Sequence, residues 1–225
     1  MHHRSSAVVA IALLAASLTA AAPAHAAGKL VAFWSMESTT VMVDRAGSND
    51  GSPRNVTPIP GVVSKGYHFN GVSSIVLVPS SASLNPGRHD FSFTVSLRLN
   101  TVPVSGDYDP IRKGAASRAG GGYKLELYPN LTRTGDQAMC TFKGSSGSAK
   151  LLTGPNLADG YWHMITCAKT RTSISLIIDS VPYTKRAKVG SISNNEPLVL
   201  GAKYVGGMAL NWYKGDMDEV RIRAG

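Results

Sequence analysis

Asp216, Asp218 and Glu219 form a carboxylate cluster near the end of the chain, and strand alternation would put Asp216 and Asp218 on one face. Two carboxyl groups about 5–5.5 Å apart across a groove could act as acid and nucleophile in retaining glycoside hydrolysis. The pattern does not extend further, because the alternating segment Tyr123–Tyr128 carries only Glu126. No G-x-S-x-G sets up a serine nucleophile. Asp44, Asn49 and Asp50 crowd one turn, and a hard cation such as Ca2+ wants several oxygens of that kind. The same side chains could simply fix Asx turns. The two cysteines, Cys140 and Cys167, have no CxxC spacing and no neighbouring histidine cluster, which favours a disulfide over a metal site or nucleophile.

The elements that must position these groups read as strands. Phe91–Leu99 alternates apolar and polar residues throughout, and Tyr123–Leu127, Ile174–Leu176 and Val220–Ile222 do so again. Turn signals separate them at Asn49-Asp50-Gly51, Asn70-Gly71, Asn85-Pro86-Gly87, Gly120-Gly121-Gly122, Asp159-Gly160 and Asn194-Asn195. Many short strands without a helical period indicate an all-β antiparallel sandwich or jelly roll. The final strand is expected to pair with the first, around Val31 and Phe33.

Residues 1–26 read as a signal peptide, with Arg4 in the charged region, an apolar run at Ala7–Ala22 and Ala24-His25-Ala26 as the cleavage site. Residues 27–225 are then one secreted, extracellular domain, with no later span for a membrane. The chain has 23 Lys+Arg against 14 Asp+Glu, and the leader removes only Arg4, so a large basic excess belongs to the mature domain. Such a surface favours polyanions at low salt. At 43% hydrophobic and 16% charged, the chain is neither disordered nor a coiled coil.

From Asp159 the residues become specific. Asp159-Gly-Tyr-Trp-His163, Ile174–Asp179, Leu198-Val-Leu-Gly201 and Tyr213–Ile222 occur in the order of the closing strands of laminin G-like, concanavalin A-like jelly-roll domains. Upstream, Phe33–Glu37 with Asp44–Gly51, and Tyr67-His-Phe-Asn-Gly71, are similar to the opening of that family. The resemblance covers nearly the whole mature chain. It departs from the family at Ser180, where a glycine is usual, and it lacks the E-x-D-x-x-E carboxylate strand of the family's glucanases.

That resemblance implies a non-catalytic carbohydrate-binding module that favours anionic glycans. The alternatives are a polysaccharide-degrading hydrolase or lyase of the same fold, and an extracellular protein–protein adhesion module. Related domains bind sugars through exposed aromatics and basic patches, which points to Tyr108, Tyr128, Trp212, Arg112 and Lys113 as ligand contacts. A late-strand carboxylate often joins a structural calcium in such domains, so Asp218 is expected beside Asp44 and Asn49. The expected partner is an extracellular glycan or polyanionic polysaccharide, or a surface protein. No helix motif or aromatic-basic sheet points to nucleic acid, and the domain is expected to be a monomer.

Overall fold

A computed structural model describes residues 28–115 and 117–225; the leader at residues 1–26 lies outside the described residues. In chain order the strands are β1 (Lys29–Trp34), β2 (Ser52–Arg54), β3 (Thr57–Pro60), β4 (Lys65–Asn70), β5 (Ile75–Val78), β6 (Phe91–Arg98), β7 (Tyr108–Lys113), β8 (Gly122–Pro129) and β9 (Asp136–Gly144). They continue with β10 (Gly147–Thr153), β11 (Trp162–Lys169), β12 (Ser173–Ile178), β13 (Val181–Arg186), β14 (Leu198–Leu200), β15 (Lys203–Val205), β16 (Met208–Leu210) and β17 (Lys214–Ala224). All pairings are antiparallel. One sheet runs β13-β12-β11-β6-β17-β4-β3, with β1 also on β17, and the other runs β10-β9-β8-β7-β14-β5-β2. The all-β jelly-roll reading holds. Among the described residues no helix is long and apolar enough to cross a membrane.

Alternation builds the core. Phe91, Phe93, Val95 and Leu97 of β6 face inward, as do Tyr123, Leu125 and Leu127 of β8. The Phe93 ring meets Tyr123 at 5.3 Å and Phe142 at 6.1 Å between centroids. The sheets converge where β9 and β10 lie over β11, β12 and β13, and there Cys140 of β9 is disulfide-bonded to Cys167 of β11 across the core, Cα atoms 5.5 Å apart. The first and last strands pair as expected, with Ala32 and Trp34 inward against Ile222 and Val220. Prolines on edge strands, Pro58 and Pro60 on β3 and Pro182 on β13, remove donors that would template further pairing.

Two bulges break the period of two. Met217 and Val220 both face the core although three residues apart, and Glu219 takes a left-handed φ of 55° between them. In β7, Tyr108 and Ile111 are likewise both inward, pairing with Leu127 and Leu125. The fully buried Asp136, at the start of β9, accepts no side-chain hydrogen bond from the described residues. Burial, only partly offset by Arg133, pushes its pKa up to about 7.

Replacing both cysteines with alanine is expected to lower the unfolding free energy by about 3.5 kcal/mol, the loop-closure value for this separation, read by denaturant titration. A carboxyl whose folded pKa lies above its unfolded one favours the fold at low pH, and that advantage disappears as pH rises through the folded pKa. The wild type should therefore lose roughly 2–3 kcal/mol relative to Asp136→Asn between pH 5 and pH 8. A pH-independent difference between the two proteins would refute the assignment.

Candidate functional site

The outer face of the seven-stranded sheet carries the chemistry. Arg112, Lys124, Thr141 and Lys150 stand opposite one another on β7, β8, β9 and β10, so register alone draws them into one row across the strands. Lys143 lies two residues further along β9 on the same face. Above the row projects the β15–β16 hairpin, closed by Gly206 and Gly207 at φ of 61° and 85°, as a tight primed turn requires. Its root is fixed by Tyr204, Ala209 and the neighbouring Trp212, which pack on Ile75, Leu77, Val199 and Ala202. The overhang and the sheet enclose a groove of about 510 Å³, with Arg112, Lys124, Lys143, Lys150 and Lys203 as its cations and Val205, Met208 and Leu210 as an apolar wall. Among the described residues no carboxylate lines it.

Three acids lie beside the groove. Asp107, Asp109 and Glu126 bring carboxylate oxygens within 4.8 Å of one another, an arrangement made by the β7 bulge. Two cations already occupy them: Arg112 Nε donates to Asp109 at 2.8 Å, its Nη2 reaches Glu126 at 3.4 Å, and Lys124 donates to Glu126. Asn211 Nδ2 donates to Asp107 and, at 3.2 Å, to Asp109. Burial raises the Asp109 carboxyl above its ordinary range against the pull of Arg112 and Lys124. Burial, together with the Arg112 charge, brings the Lys124 ammonium down to about 8, while Asp109 and Asp107 oppose the shift. The sequence reading singled out Glu126 and missed Asp107 and Asp109, which no motif marks.

Several expected contacts are placed elsewhere. Tyr108 is a core residue, packed edge-on against Tyr213 at 5.8 Å, because the bulge turns it inward. Lys113 is fully buried: it follows the outward Arg112, so alternation sends it to the opposite face. Its ammonium donates to Ser80 Oγ, to Asn194 O and Oδ1, and to Glu196 O at 2.7–3.2 Å. Arg112 is buried among its acids at the groove floor, and Trp212 is half-buried beneath the hairpin. Tyr128 is half-buried, and burial together with Asp107 and Asp109 raises its hydroxyl pKa.

The calcium set does not fit a cation. Asp44 accepts the amides of Phe33, Ala46, Gly47 and Asn49 and the side-chain amide of Asn49 at 2.8–3.0 Å. Asn49 Oδ1 accepts from the hydroxyls of Ser81 and Ser83. Asp218 serves a different loop, accepting the amides of Val62 and Val63 at 2.9 and 3.0 Å and that of Glu219 at 2.7 Å. These oxygens do the work of backbone donors' partners, the Asx-type alternative. Asp216 is not one half of an acid pair with Asp218 either, being held by His68 at 2.7 Å and Arg98 at 2.8 Å.

Comparison with known proteins places this frame. A laminin G-type family profile, described as the concanavalin A-like lectin/glucanases superfamily, matches residues 70–224. No curated protein matches the chain in sequence. Among solved structures, the binding domain of Paraclostridial Mosquitocidal Protein 1 superposes with a TM-score of 0.67 at 19% identity, over 87% of this chain and 48% of that one. Domain 4 of AbnA, a GH43 extracellular arabinanase from Geobacillus stearothermophilus in complex with arabinotriose, gives 0.63 at 17% identity, over 88% of this chain and 93% of that one. The binding domain of botulinum neurotoxin DC in complex with SialylT gives 0.63 at 10%, over 87% and 48%. The chain thus spans about half the length of the first of these structures, and at such identities the likeness is one of fold.

Lys113→Met keeps the aliphatic stem but removes the donor from four acceptors, two of them, Asn194 O and Oδ1, in buried contacts. It is expected to destabilise the domain by about 2–4 kcal/mol without weakening ligand binding at temperatures where the variant is folded, checked by thermal unfolding and titration together.

Proposed function

The chain belongs to the concanavalin A-like lectin/glucanases superfamily, and on that premise we propose that it is an exported, non-catalytic glycan-binding module whose groove beneath the β15–β16 hairpin takes anionic polysaccharide. The observation that carries this reading is the groove itself: five cations, an apolar wall and no lining carboxylate among the described residues. The C–H faces of sugar rings pack on apolar side chains, while sulfate or carboxylate groups meet ammonium groups. Export is supported by the leader read at residues 1–26. The reading is supported by the arabinanase domain, which is solved with arabinotriose and matched over 93% of its length, and by the neurotoxin binding domain, which is solved with SialylT and matched over 48%.

Non-catalytic binding is favoured by the state of the three acids. Asp109 and Glu126 are tied to Arg112 and Lys124, and none of the three opens into the groove. A carboxylate held this way positions a guanidinium and is poorly placed to transfer protons.

Calorimetric titration against a panel of sulfated, uronate-containing and neutral polysaccharides tests the reading. The anionic members are expected to bind more tightly and to weaken as salt rises, since screening shortens to about 3 Å at 1 M. Lys150→Glu, an exposed change, should cost about tenfold in affinity, or ~1.4 kcal/mol. Reducing-sugar or unsaturated-sugar release that is lost in Glu126→Gln would overturn the non-catalytic assignment, and absence of binding to every glycan would overturn the proposal.

A further inference from the structure

Thr141 is an anomaly on the groove floor. It is 7% exposed, and its Oγ1 is buried without a hydrogen-bond partner among the described residues. A buried hydroxyl with no partner is costly, and native proteins rarely leave one without a use. Yet Thr141 lines the groove, with Lys124 directly opposite on β8 and Lys150 directly opposite on β10. Each neighbour is about 4.8 Å away, one strand spacing, so long ammonium side chains on both flanks can close over a group seated on the central hydroxyl. The next row along the strands is different: Glu126, Met139 and Leu152 stand there, with Asp109 beside Glu126. Negative charge therefore bounds the seat on that side, and Lys143 stands on the other. Arg112, at the β7 end of the row, is engaged by Asp109 and Glu126, and Lys124 gives one of its three N–H donors to Glu126, leaving two for a group on the Thr141 side.

We infer that Lys124, Thr141 and Lys150 form a seat for one oxyanion, the sulfate ester or carboxylate of the bound polysaccharide. The Thr141 hydroxyl donates to one oxygen from below, and the two ammonium groups neutralise the charge from either side. The inference rests on the reading of the groove as a glycan site, and it makes Thr141 the residue that separates charged from neutral sugars. A hydroxyl at this depth adds direction to what lysines supply as point charges.

The test uses matched oligosaccharides, sulfated against desulfated and uronate against carboxyl-reduced, titrated into wild type, Thr141→Val, Thr141→Ser and Lys150→Met. Thr141→Val is nearly isosteric and removes the hydroxyl; thermal unfolding checks that it folds. It should lose about tenfold or more in affinity for the charged member, with neutral-member binding unchanged and Thr141→Ser retaining the preference. Whichever charged pair shows the collapse identifies the group as sulfate or carboxylate. Unchanged discrimination in both Thr141→Val and Lys150→Met overturns the seat. A parallel titration with inorganic sulfate, followed by amide chemical shifts, keeps the two ideas separable. Shifts at Thr141 and Lys150 that vanish in Thr141→Val, in a protein that binds no glycan, uphold the seat and remove the glycan reading.

Discussion

One carboxylate holds the place where the last strand changes partner. β17 runs beside β6 for almost its whole length, but its other edge is shared, first with β4 and then with β1. Asp218 sits at that handover. It accepts Glu219 N within the bulge and the Val62 and Val63 amides of the β3–β4 turn. The bulge allows Met217 and Val220 to face one core despite odd spacing, and the turn places β4 on the first half of β17. Without the bulge, every residue after Asp218 would change face, sending Val220 and Ile222 to solvent. Burial raises the Asp218 pKa while the three amides lower it, the signature of an ionisable group used as a buried acceptor. Asp44 plays a similar part at the chain's entry, gathering four amides under the first strand.

The opposite sheet uses the same device to a different end. The β7 bulge turns Tyr108 into the core and brings Asp109 beside Arg112 and Glu126. Those acids hold the guanidinium and take one donor of Lys124, balancing part of the positive face that Lys124, Lys143, Lys150 and the hairpin's Lys203 present to the groove. The hairpin stays in place because its root packs an apolar cluster on β5 and β14, so the groove's height is set by packing rather than by its ligand. His163 is another motif residue with a supporting task. Burial opposes its protonation, but hydrogen bonds to Asp179 and Asp159 raise its pKa, and the three groups tie the loop before β11 to the β12–β13 turn. That turn has both Asp179 and Ser180 at positive φ, which is the reason glycine suits the second position, and Ser180 stands there at the cost of local strain.

How much of this was legible depends on whether a residue's environment is local in sequence. The inward residues of β6, β8 and β12 were legible because alternation is local, and the disulfide because two cysteines leave one pairing. Asp44 and Asn49 were rightly seen as a turn, yet whether their oxygens faced a cation or amides depended on Phe33, eleven residues away. Tyr108 and Lys113 lie away from the groove for one reason, while Arg112 between them does line it. The segment before β8 is Gly-rich and resembles a connection, and the bulge hides its period. Lys113 is the sharpest case, because a fully buried lysine satisfied by three separated residues has no sequence signature at all. The Lys124–Thr141–Lys150 row was equally invisible, since it exists only through the register of three strands.

The division between frame and ligand chemistry follows from this. The residues that carry the family resemblance, such as Trp34, Asp44, His163, Asp179, Asp218 and Glu219, are spent on turns, bulges and core packing. None of them lines the groove. The groove is instead made by outward positions of β7–β10 and by a short hairpin, places where a side chain can change without disturbing the core, because alternation separates the two faces. A fold specified by one face and a ligand specified by the other can vary independently. Membership of the superfamily therefore accounts for the frame alone, and it is the residues on this sheet's outer face, a buried hydroxyl between two lysines, on which the oxyanion proposal rests.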